Sequence, residues 1–123
     1  MQFEDFITRV QEQTRLNSGE EAIRITRAVL ETLGERLNRK VRNGLEAQLP
    51  KELEEFLLAR AEHSDQYDLS EFYKRVGARA DLTYEDAKQR TGQVLAVLRE
   101  AVPGGEIEDV LEDLPPEYEK LFV

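Results

Sequence analysis

The chain has 123 residues, 40% apolar and 35% charged, with a net charge of −9. That is enough apolar material for one core, which excludes a disordered chain, and the acid excess argues against non-specific binding to nucleic acid or anionic membranes. The absence of cysteine excludes a disulfide framework and a thiolate metal site, and no apolar run approaches the roughly 20 residues needed to cross a bilayer.

The first element carries Phe3, Phe6, Ile7 and Val10 at helical spacing, so one face of an amphipathic helix starts the chain. The second and longest runs from about Ser18 to Leu37. Ser18 with Glu21 resembles a capping box, and Glu20 and Glu21 sit where the helix dipole favours acids. Ala22, Ile25, Val29, Leu33 and Leu37 form its inner stripe. A short third segment, about Val41–Gln48, stops before Pro50, because a residue preceding proline is pushed out of helical geometry. "LPKELEEFLL" then starts a fourth helix with Pro50 in its first turn and Leu53, Phe56 and Leu57 turned inward.

The same four segments come round again. At an offset of 66, Phe3, Phe6, Val10 and Leu16 fall on Leu69, Phe72, Val76 and Leu82. At 65, Ala22, Val29, Leu33, Leu37 and Pro50 fall on Ala87, Val94, Leu98, Val102 and Pro115. The second copy is expected to hold a helix capped near Ser70, a long helix from Thr83 to Val102 boxed by Thr83 and Asp86, a third over about Glu106–Asp113, and a last helix in "LPPEYEKLFV". Gly104 or Gly105 reads as a helix stop in the left-handed conformation. The expected fold is all-α: two homologous four-helix halves, residues 2–58 and 68–123, joined by a polar connector, 59–67, and packed about an approximate two-fold axis as one helical domain over 1–123.

"FEDFITRV", "RAVLETLGERL", "AQLPKELEEFL", "DLSEFYKRV", "QVLAVLREAVPGGEIEDV" and "DLPPEYEKLF" together resemble domain-of-unknown-function family 2267, over nearly the whole chain. The resemblance implies a small, acidic, tandem-repeat helical protein of bacteria, and it carries no catalytic motif. Copy one departs from the pattern where "LNRKVRNGLEAQLP" replaces the Gly-Gly-Glu turn.

The copies differ most in charge. Residues 1–61 hold ten basic and eleven acidic residues; residues 62–123 hold seven and fifteen, net −8. Copy one places Arg36, Arg39, Lys40 and Arg42 where copy two has Ala101, Gly104, Gly105 and Ile107, flanked by Glu106, Glu108 and Asp109, with Glu112 and Asp113 beyond. These nine charged residues are the candidate interaction patches. They suit a protein partner, self-association by docking the basic patch of one molecule on the acidic face of another, or, alternatively, small anions or divalent cations; taken patch by patch, a solvated surface is the more ordinary account of such charges.

No catalytic residues, cofactor site or metal site are read from the sequence. His63, the sole histidine, lies in the polar connector beside Ser64, which is the wrong geometry for a triad, and no calcium-loop spacing occurs. Tyr73 and Tyr118 fall on apolar faces, whereas Tyr84, in the first turn of a long helix, is the better candidate for exposure. The expected function is a non-enzymatic interaction or regulatory module, without nucleic-acid or membrane contact. The N-terminus lacks a basic start followed by an apolar stretch, so a cytoplasmic location is expected.

Overall fold

The computed structural model describes residues 1–122. It contains seven α-helices: α1 (Phe3–Thr14), α2 (Gly19–Arg36), α3 (Arg39–Glu46), α4 (Lys51–Leu58), α5 (Leu69–Ala80), α6 (Tyr84–Ala101) and α7 (Gly104–Asp113). Two 3-10 segments complete it, a turn at Ala61–His63 and a C-terminal helix at Pro116–Phe122. The described residues form no strand, and none of their helices is long and apolar enough to cross a membrane.

The long helices start where their hydroxyl caps stand. Ser18 Oγ accepts from the Glu21 N–H at 3.2 Å, and Thr83 Oγ1 from the Asp86 N–H at 3.1 Å. These caps satisfy N–H groups that have no partner inside the helix. In α5 the cap is Asp68, whose carboxylate accepts from the Glu71 N–H at 2.9 Å. The expected cap, Ser70, lies inside the helix, because an acid two residues earlier already reaches the first turn.

One other expectation is corrected. Gly104 and Gly105 do not stop a helix in the left-handed region; they open α7, and no described glycine has positive φ. The left-handed positions are Arg15 and Asp81, the C-caps of α1 and α5, each at φ 58°. The last expected helix is present and winds as a 3-10 helix over Pro116–Phe122.

α2 and α6 meet their last neighbours differently. Leu57 of α4 lays its backbone carbonyl against Gly34 of α2, in the space a Cβ would occupy. The position 65 residues on is Arg99, whose guanidinium donates to the Phe122 carbonyl. The C-terminal segment thus meets α6 through the Arg99 side chain, where glycine lets the α4 backbone touch α2 directly.

One cluster of buried residues runs through the molecule. α2 and α6 pack together at its centre. α1 lies against both, as does α5, while α4 covers α2, the C-terminal helix covers α6, and α3 packs on α7. Phe6, Phe72, Leu33, Leu98, Leu53 and Tyr118 are fully buried in this cluster. Removal of such side chains from water is the main force holding the elements together. Tyr73 is buried as expected, and Tyr84 is 39% exposed, its ring edge-on to Tyr73 at 5.7 Å.

Candidate functional site in the cleft between α3 and α7

Helices α3 and α7 run antiparallel. Asn38, the N-cap of α3, accepts the Val41 N–H on its Oδ1 at 2.9 Å. Its own backbone N–H donates to Asp113 Oδ2 at 2.8 Å, and its side-chain amide donates to Asp113 Oδ1. At the other end, the Glu106 carboxylate lies over Gly44, whose missing side chain makes room for it. An acid is unfavourable at the C-terminus of its own helix, but Asp113 faces the N-terminus of α3, where the dipole favours it.

Between these contacts is a cleft of about 480 Å³. Asn38, Lys40, Val41 and Gly44 line one side; Glu106, Asp109, Glu112 and Asp113 line the other. Four of the five acidic candidates therefore converge with one basic candidate in a single molecule. Glu108 is also exposed but borders a different hollow, between α7 and the C-terminal helix.

The basic candidates do not form a surface patch. Arg39 and Lys40 are exposed. Arg36 and Arg42 are only 6% and 7% exposed, because the C-terminus of α2 and the connector use them internally. Arg42 donates to the carbonyls of Gly34 and Leu37, both at 3.3 Å, where cations are favoured at a helix C-terminus. Its Nε is buried with no partner. Arg36 donates from Nε to the Tyr67 carbonyl at 2.8 Å and covers the Tyr118 ring at 5.4 Å.

Tyr67 leads to a polar network that the sequence did not reveal. Its carbonyl accepts from Tyr118 Oη at 2.7 Å as well as from Arg36. Its hydroxyl lies 2.8 Å from Glu35 Oε1 and 3.0 Å from the Thr32 carbonyl, and shares its proton between them. Arg75 stacks over the ring at 4.0 Å and pairs with Glu35 at 3.0 Å. Arg79 donates to both oxygens of Glu35, at 3.1 and 3.0 Å, and to Thr32 Oγ1 at 2.8 Å.

Burial pushes the Glu35 carboxyl up, but the hydrogen bonds from Arg79, Tyr67 and Arg75 together outweigh it and hold the group below the usual carboxylate range. Burial, then the Glu35 carboxylate, push the Tyr67 hydroxyl well up, and burial pushes Tyr118 up to about 12. The network's hydrogen bonds and ion pairs all run within the same chain. It fastens the connector to α2 and α5. Its one sequence signal is an i, i+4 pair of arginines, Arg75 and Arg79, on the α5 face that meets Glu35.

Ion pairs elsewhere join Arg9 to Glu12 and Glu100, Arg60 to Glu31, and Arg75 to Glu71 and Asp65. Among the described residues no ion pair reaches Glu106, Glu108, Asp109, Glu112 or Asp113. No three acidic or histidine side chains among them gather as a metal site.

An all-helical domain with a charged cleft and a structural polar network is the class that the fold and site define. The chain belongs to the family described as Uncharacterized conserved protein (DUF2267), whose model matches residues 3–121. That agrees with the resemblance carried by its helical phrases. A comparison with curated proteins finds no match.

Proposed function

We propose that the chain is a non-enzymatic interaction module that holds a basic segment of a partner protein on the face of α7. The observation that carries this is the density of five carboxylates on one ten-residue helix, none of them in an ion pair among the described residues, with four of them converging on one cleft. Unneutralised like charge on one face attracts cationic partners and speeds their encounter. It also repels phosphate, which speaks against nucleic acid. The α7 acids do not gather as a cation site among the described residues, so protein contact is favoured over divalent-cation binding. His63 is exposed on a three-residue turn, away from the cleft, which supports the non-enzymatic reading.

We infer that the domain arose as two homologous halves related by an approximate two-fold axis. Support comes from the matched lengths, 12 residues for α1 and α5 and 18 for α2 and α6. The exchange of packing, α1 on α6 and α5 on α2, fits such an axis. So do the buried, unpartnered hydroxyls of Thr26 and Thr91, 65 residues apart on the central helices. One copy then retains its surface while the other diverges to an acidic face.

Zero-length carbodiimide crosslinking in cell extract, with the joined residues located by mass spectrometry, tests the interaction role. Crosslinks from Asp109, Glu112 or Glu108 to lysines of another protein are expected. Crosslinks confined to this chain, or none from α7, would overturn it.

A further inference from the structure

The second hollow beside α7 bears on what the partner must look like. It measures about 560 Å³ and is lined by Arg99, Gly104, Ile107, Glu108, Leu111, Glu119 and Phe122. Ile107 and Phe122 are nearly buried and Leu111 is partly buried. Glu108 and Glu119 are exposed and have no ion pair among the described residues.

The corresponding region of the first half is built differently. Gly34 stands where Arg99 stands, and Leu57 lies directly against it. Arg42 stands where Ile107 stands, with its guanidinium on the α2 carbonyls. In the second half Arg99 instead reaches the Phe122 carbonyl from beneath the segment that covers α6, and an apolar floor is left between two carboxylates without an ion pair among the described residues.

We propose that this groove is the specificity pocket of the α7 face, a proposal that rests on the interaction reading above. It takes one large aliphatic or aromatic side chain of a basic partner segment. That side chain lies on Ile107, Leu111 and Phe122 while neighbouring Lys or Arg residues meet Glu108 and Glu119. The occupant is argued from charge: the half of the chain that forms the groove carries net −8, and both rim acids lack a cation. Acids alone would attract any basic chain, whereas a floor for an apolar side chain selects among them.

The test titrates the full chain with a short lysine-rich peptide bearing one central leucine, and with its Leu→Ser counterpart of equal charge, by calorimetry and by amide NMR shifts. The leucine peptide is expected to bind about tenfold tighter, the scale of one buried aliphatic side chain. That advantage should persist at about 0.5 M salt, where surface attraction is screened. A Gly104→Leu variant plugs the groove. A Cβ at Gly104 meets no atom within 4 Å, so the fold should survive, which circular dichroism and a thermal melt check. In this variant the two peptides should bind equally.

Equal, salt-sensitive binding of both peptides to the unmodified chain, with shifts on α7, overturns the pocket and leaves the acidic-face reading standing. No binding of either up to about millimolar concentration overturns both. A dimer mass that Gly104→Leu converts to monomer assigns the groove to a second copy of this chain and overturns the basic partner.

Discussion

The backbone carbonyl of Leu57 occupies the space that a side chain would take at Gly34. The close approach of α4 to α2 depends on it. Gly92, within α6, has open space around its missing Cβ. Alanine is therefore expected to act in opposite directions at the two sites. Gly92→Ala should stabilise by about 0.5–1 kcal/mol through helix propensity. Gly34→Ala should cost about 2–3 kcal/mol, because α4 must be displaced. Urea unfolding of both variants checks the pair, and stabilisation at Gly34 would disprove the packing argument.

The Glu35 network makes a prediction about acid. The folded-state pKa of Glu35 lies below its ordinary value, so the group's contribution to stability is complete above the ordinary carboxylate range and is lost as pH falls through the folded value. Glu35→Gln should cost about 2 kcal/mol at neutral pH, less than for a wholly buried pair because Arg75 and Arg79 keep partial access to water. The variant should also show a shallower loss of stability below the carboxylate range. Denaturant midpoints measured across the acid range will show whether its curve converges on that of the parent chain.

Asn38 and Asp113 tie α3 to α7 across the cleft. Asn38→Ala removes both this tie and the cap of α3, at an expected cost of about 1–2 kcal/mol. Asp113→Ala removes the tie alone and should cost less. The double variant should fall short of the sum by about 1 kcal/mol. Additive losses would mean that the two residues contribute independently.

Head-to-tail docking between copies is tested by mass. Arg36 and Arg42 are spent inside the molecule, which leaves Arg39 and Lys40 as the exposed cations of that segment. Two surface cations add little attraction. Light scattering should therefore give one mass at low and at high salt. A mass that rises at low salt and falls on Arg39→Ala would restore the contact.

The sequence by itself determined the helices and most of their limits. Apolar spacing of 3.6 residues, the Ser18 and Thr83 caps and the breaks before Pro50 and Pro115 are local signals, and each acts within a turn or two of its own residue. The tertiary structure alone decided which charges are free. Arg36, Arg42, Glu35 and Tyr67 sit in polar stretches that read as surface, yet they are drawn inward because the C-terminus of α2 and the connector need buried donors and acceptors for each other. The cleft and the groove beside α7 depend equally on contacts between distant residues, Gly44 with Glu106 and Arg99 with Phe122, and no local pattern encodes the meeting of such pairs.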